Sequence, residues 1–222
     1  MKKGMVMVLA VALLAVATTA NAQIFGKGKM QITFGLTHFQ TFTVDTIYSG
    51  FPSVEDHNAL GFGAFFKYNL SDNWGIDAGG FYGFGSENYE YTVSTAFEEK
   101  YRIKAIGFRV GVDHTVNIGD RTGLYFGPGI SFVSARSGVK TSGFTPDVDD
   151  DNPRTTTISL DGRIGAQAML GKNFGVKANL GKNWNRSSVS FDYDLGGGSQ
   201  EFKISRWWSS THGYAGFVIY VN

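Results

Sequence analysis

From about residue 30 to about residue 184 the chain repeats one arrangement, bulky apolar residues at every second position with Gly, Ser, Asn, Lys, Arg or Asp between them. A period of two sends successive side chains to opposite faces of a strand, so each segment predicts a β-strand with one apolar face. The first, 29–40, sets Met30, Ile32, Phe34 and Leu36 against Gln31, Thr33, Gly35 and Thr37. The second, 59–70, sets Leu60, Phe62, Ala64, Phe66, Tyr68 and Leu70 against Gly61, Gly63, Lys67 and Asn69. In the third, 74–85, Trp74, Ile76, Ala78, Tyr82 and Phe84 oppose Asp77, Gly79 and Gly83. In the fourth, 101–115, Ile106, Phe108, Val110 and Val112 oppose Arg109, Gly111 and Asp113. Leu124, Phe126, Ile130 and Phe132 mark the fifth strand, and Ile158, Leu160, Ile164, Ala166 and Leu170, opposite Asp161, Arg163 and Gln167, mark the sixth. Phe174, Val176, Ala178 and Leu180, opposite Lys177 and Asn179, mark the seventh. The eighth, 207–221, is apolar on both faces near its end, with Phe217, Ile219 and Val221 assigned outward.

In a soluble sandwich the apolar faces meet in a core and the polar faces meet water. Here the second face is too rich in glycine and in charges of both signs to be an ordinary wet surface. The pattern predicts an all-β fold, an eight-stranded antiparallel transmembrane β-barrel that is apolar outside and has a filled polar lumen.

The connections alternate in length. Ser71-Asp72-Asn73, 117–121 and Gly171-Lys172-Asn173 have the chemistry of tight turns. The polar stretches 41–58, 86–98, 136–155 and 185–203 read as long loops, all at one end, with the short turns and both chain ends at the other. In an outer-membrane barrel the long loops are extracellular and the short turns periplasmic. Pro128, between Gly127 and Gly129, cannot donate to a ladder, so a β-bulge is expected there.

The amino terminus changes the picture only by giving an address. Lys2 and Lys3 precede an apolar run, Met5 to Val16, and Ala20-Asn21-Ala22 has the small-x-small form of a signal-peptidase site, so residues 1–22 read as a signal peptide and 23–222 as the barrel domain. No stretch is long enough for a membrane helix. The absence of cysteine excludes thiolate metal sites, disulfides and a lipoprotein anchor. Removing Lys2 and Lys3 takes the formal charge from +1 to −1, which leaves no electrostatic case for nucleic acid.

Candidate chemistry is concentrated in the lumen, where Lys67, Asp77, Arg109, Asp113, Asp161, Arg163 and Lys177 all point inward. Charges so confined must pair, because an isolated buried ion costs several kcal/mol. The network reads as a structural plug, with a gated ion path as the alternative. The four histidines, His38, His57, His114 and His212, form no metal motif. His212, with Ser210 two residues earlier on the same inward face, lacks the third group that orients a catalytic base. Asp147, Asp149, Asp150 and Asp151 are hard oxygen ligands but lack the glycine and distal glutamate of a calcium loop. The four loop stretches hold 14 of the 19 acidic residues, which predicts an acidic outer face. Trp207 and Trp208 read as part of the outer aromatic girdle.

The stretches SDNWGIDAGGFYG, TGLYFGPGISF, LDGRIGAQAMLGKNFGVKANLG and HGYAGFVIYVN give the chain a resemblance to the small outer-membrane barrels of the OmpA and OmpX type, and to single-domain barrels common in Bacteroidetes. The closing strand resembles the assembly signal of such barrels at Tyr214, Gly216, Ile219 and Val221, which implies recognition by the barrel-insertion machinery, although Asn222 stands where those barrels carry phenylalanine. The peptidoglycan-binding domain that follows the barrel in OmpA is expected to be absent. The reading is therefore a non-enzymatic outer-membrane barrel without a cofactor, its partners being membrane lipid, lipopolysaccharide and an extracellular molecule met by the loops. A narrow pore is the alternative, and an embedded lipid-modifying enzyme the third possibility.

Overall fold

The computed structural model describes residues 27–46, 52–92, 96–142, 148–151, 153–194 and 199–221. They form nine strands: β1 (Met30–Thr46), β2 (Pro52–Asn69), β3 (Trp74–Thr92), β4 (Ala96–Gly119), β5 (Thr122–Ser142), β6 (Val148–Asp151), β7 (Thr155–Met169), β8 (Phe174–Asp194) and β9 (Ser199–Val221). Eight long strands pair antiparallel with their neighbours, and β1 pairs with both β2 and β9, so the sheet closes on itself. The short β6 pairs only with the upper end of β5. Following the register from Gln31 through Lys67, Asp77, Gly111, Gly129, Asp161, Asn183 and Ser210, and carrying the His38–Gly213 offset on by three steps, returns to β1 at Thr41, ten residues above the start. That stagger tilts the strands and sets the width of the lumen.

The outward face is apolar over a belt about eleven residues tall, which is the length a tilted strand needs to cross a bilayer. Leu60 to Leu70, Trp74 to Phe84, Ile106 to Val116 and Phe174 to Trp184 bound it on four strands, and their large side chains are exposed. Every apolar face assigned from the alternation points outward, including Phe217 and Ile219 on β9. At the lower rim Trp74 and Phe126 sandwich the His114 ring at 4.7 and 5.2 Å, and Phe174 stacks on Phe217 at 5.5 Å. Tight turns close the same end: Leu70 and Ser71 amides both donate to the Trp74 carbonyl, and Leu170 and Gly171 amides to that of Phe174.

Three expectations are corrected. The stretches 41–58, 86–98, 136–155 and 185–203 are not long loops, because the strands run on beyond the belt and leave only short connections. Polarity misled there. Above the belt the alternation persists with its sign reversed, Arg102, Lys104 and Arg136 facing out and Ile103, Ala105 and Ala135 buried inside, because the outer face now meets water. Second, Pro128 makes no bulge. Pro128 aligns with Gly162, and the β4–β5 ladder lapses for two steps between Gly111–Gly129 and His114–Phe126 and resumes in the same register. The missing N–H costs ladder bonds without adding a residue, and the irregularity falls instead at Asn117/Gly119. Third, Trp207 and Trp208 do not both join a girdle, since neighbours on a strand face opposite ways. Trp207 is 73% exposed, whereas Trp208 turns inward and its indole N–H donates to Ser187 Oγ at 2.8 Å.

Above His38 and Gly213 the ladder between β1 and β9 ends. β1 also approaches β5, β7 and β8, none of which is its neighbour in the ring. Thr41, Phe42 and Thr43 are all buried, so both faces of this strip are covered. Phe42, 0% exposed, packs on Val189 with Phe191, Ile204 and Trp208 around it. The upper β1–β2 hairpin thus leans into the barrel mouth.

Candidate functional site

The lumen is built in layers. Met169, Val218 and Tyr220 close the lower end, beside buried Gln31, Asn69 and Gln167. Above them the structure brings the seven inward charges, contributed by β2, β3, β4, β7 and β8, into one buried layer. Arg109 donates to Asp161 from Nε at 3.0 Å and from Nη2 at 2.7 Å, and its Nη1 donates to Asp77 at 2.8 Å. Arg163 Nη2 donates to the other Asp77 oxygen at 2.5 Å and to Asp113 at 2.7 Å. Lys67 Nζ lies 3.5 Å from Asp113 Oδ2 and donates to Thr115 Oγ1 at 3.0 Å. The result is a chain of alternating sign, Asp161–Arg109–Asp77–Arg163–Asp113–Lys67. Forked guanidiniums suit it, because each can hold two carboxylates in fixed directions.

Glycine makes room for this layer. A Cβ on Gly111 would meet Arg109 Nη1 at 2.6 Å, and one on Gly129 would meet both that guanidinium and Asp161. Beside the chain stands Tyr125, fully buried, whose hydroxyl donates to the Ala178 carbonyl at 3.2 Å and accepts from Asn179 Nδ2 at 3.2 Å. Its ring faces three cations, with Lys177 Nζ at 4.3 Å, Arg163 Cζ at 5.7 Å and Lys67 Nζ at 5.8 Å.

Over the charge layer lies a small chamber of about 60 Å³. Asp77, Arg109, Asp161, Arg163 and Lys177 contribute its charged lining, Asn179, Asn183, His212 and Tyr214 its neutral polar lining, and Phe39, Phe65, Phe81 and Val133 its apolar lining. Phe39, Ala59, Ala105, Val133 and Ala135 form an apolar cluster with Phe81 against it. A lumen filled throughout was the expectation from strand number alone, so the chamber was not legible in the sequence.

The remaining candidates fall apart or fall elsewhere. Ser210 Oγ accepts from Asn185 Nδ2 at 2.9 Å, the His212 ring lies over Gly181, and among the described residues no hydrogen bond joins the two. Asp149, Asp150 and Asp151 lie in β6 opposite Lys140, Val139 and Gly138, while Asp147 lies outside the described residues. Tyr214 and Gly216 face the lumen; Ile219 faces lipid. The signal segment and its cleavage site also lie outside the described residues.

On the outer wall, immediately above the belt, Arg102, Lys104 and Arg136 are exposed and Lys100 is partly so. Lys104 sits directly opposite Arg136 in the β4–β5 ladder. Two positive side chains thus share one exposed stretch of the outer wall. Counting acids in the polar stretches overlooked it, because sequence distance hid which bases share a face.

A belt of bilayer height around an ion-paired lumen defines an integral outer-membrane β-barrel. The chain belongs to the outer membrane protein β-barrel domain family, whose model matches residues 6–207. No curated protein matches in sequence. Among solved structures, the outer membrane protein OprG from Pseudomonas aeruginosa superposes with a TM-score of 0.61 at 12% identity, over 91% of this chain and 100% of that one. The outer membrane protease OmpT from Escherichia coli superposes at 0.49 with 11% identity, over 87% of this chain and 96% of that one. Ail, the attachment invasion locus protein of Yersinia pestis, superposes at 0.40 with 14% identity, over 87% and 98%. The first likeness shows the fold; the other two carry no argument about function.

Proposed function

We propose that this chain is a non-enzymatic outer-membrane barrel, closed to solute flow, that is held in the lipopolysaccharide leaflet by its outer basic patch and presents its extended hairpins to an extracellular partner. The observation that carries this reading is the six-residue ion-pair chain across the lumen. Solute passing it would have to break buried, multiply hydrogen-bonded pairs, each costing several kcal/mol to leave unpaired. With the charge layer committed to structure, contact with an extracellular partner falls to the hairpins and the outer wall. There the strands stand well clear of the belt; β3 and β4 contain 19 and 24 residues. Lys100, Arg102, Lys104 and Arg136 lie at the height of lipid headgroups, and guanidinium forks match phosphate geometry. Tyr214, Gly216, Ile219 and Val221 are the segment by which the insertion machinery recognises the chain, and residues 1–22 are the removable export signal.

The test is lipopolysaccharide binding by the refolded protein in detergent. Replacing Arg102, Lys104 and Arg136 together by Gln is expected to weaken binding at least tenfold while folding is kept, as judged by heat-modifiable electrophoretic mobility. Unchanged binding would refute the headgroup role of the patch.

A further inference from the structure

The buried charges of the lumen do not balance. Among the described residues Lys67, Arg109, Arg163 and Lys177 are buried against Asp77, Asp113 and Asp161, four cations to three anions. The ion-pair chain uses three of each; Lys177 makes no ion pair in it and feels the field of Asp113 and Asp77, carboxylates already held by Arg163, Arg109 and Lys67. It is only 5% exposed, its close contact is the face of Tyr125, and its register neighbours on the inner wall, Gln167 and Gly216, are uncharged. A ring face offsets part of the desolvation of an ammonium group but supplies no counter-charge.

Lys177 opens onto the chamber. The wall around it carries polar atoms without a protein partner: Oδ1 of Asn179, Oδ1 of Asn183, Nδ1 of His212 and the hydroxyl of Tyr214. Asn179 and Tyr214 are both more than nine-tenths buried. The Tyr214 hydroxyl leans over Gly216, the residue paired with Lys177, where a Cβ would meet it at 2.6 Å. The Tyr214 hydroxyl and, in one tautomer, the His212 imidazole can donate into the chamber beside the Lys177 ammonium, whereas the two amide oxygens can only accept. The apolar part of the lining is Phe39, Phe81 and Val133, with Phe65 set edge-on against the Tyr214 ring at 5.2 Å. Gln40, partly exposed, borders the chamber where β1 leaves β9 and gives it a side toward the exterior.

We infer that the chamber binds one small carboxylate with a short apolar tail, its charge neutralising Lys177, one oxygen accepting from Tyr214, and the tail lying against the aromatic wall. One surplus positive charge calls for a monovalent anion, and a lining part polar and part apolar calls for an amphiphilic one. The site is a dead-end pocket above the ion-pair chain, independent of the outer basic patch.

Isothermal titration of the full chain, refolded in detergent, with sodium butyrate and with sodium chloride tests this. Butyrate is expected to bind in one-to-one ratio and more tightly than chloride. Lys177→Met should weaken it at least tenfold. Gln167→Glu, which places a carboxylate opposite Lys177 from a different strand, should weaken it as much while raising the thermal unfolding temperature. Both variants are checked for heat-modifiable mobility, and lipopolysaccharide binding should be unchanged in both, which separates this result from the fate of the outer patch. Absence of butyrate binding to the wild type, binding unaffected by either substitution, or chloride binding as tightly as butyrate would overturn the inference.

Discussion

Arg109 on β4 grips Asp161 on β7 across the whole width of β5, with Nη2 at 2.7 Å and Nε at 3.0 Å. The strand between them carries Gly129 at the crossing point, and any side chain there would occupy the path of the guanidinium. The pair therefore ties together two strands that share no ladder. Arg109→Met leaves a buried carboxylate without its partner and should destabilise the inserted barrel by about 3–5 kcal/mol. Urea titration of folding into lipid vesicles measures it. The double variant Arg109→Met with Asp161→Asn should recover much of the loss, and failure to recover would mean that the two act separately.

Glycine in this layer is a packing residue, and Gly111 is its clearest case. Gly111→Ser would place an atom about where Arg109 Nη1 now lies, at 2.6 Å from the new Cβ. The same urea titration should show a loss of about 1–3 kcal/mol. Its neighbour Val110 faces lipid at 42% exposure. Val110→Arg should cost about 2–4 kcal/mol if the residue sits at the midplane, and a variant as stable as wild type would contradict the assigned face.

Phe42 lies in a stretch whose composition suggests a solvated loop, yet it is fully buried between the leaning β1–β2 hairpin and the β8–β9 hairpin. Phe42→Ala should therefore destabilise the protein by about 3–5 kcal/mol, as for other buried aromatic truncations. A change near zero, read from thermal unfolding followed by near-ultraviolet circular dichroism, would mean that the hairpin does not pack into the mouth.

The phase of the strands was legible because lipid enforces it: the outward residues from Leu60 to Leu70 and from Phe174 to Leu180 are all apolar, and a one-residue slip would bury the wrong face. The upper strands were not read as strands because water replaces lipid there, so Arg102 and Lys104 face out and Ile103 faces in. The alternation Arg-Ile-Lys-Ala at 102–105 was itself the signal, with its polarity inverted. The seven lumen charges followed from the phase. Which carboxylate meets which cation did not, because Arg109 and Arg163 reach across intervening strands to partners fixed only by the closed register. For the same reason the sequence could give the excess of one cation but not name Lys177 as the group outside the ion-pair chain.

The central claim is that the ion-pair chain closes the lumen, and single-channel recording of the purified, refolded protein in planar lipid bilayers tests it most directly. The structure predicts a bilayer that shows protein insertion, detected by protease protection of the belt, with no steady ohmic conductance at moderate voltage. Reproducible unitary openings in the wild-type protein would contradict it and establish the lumen as a pore.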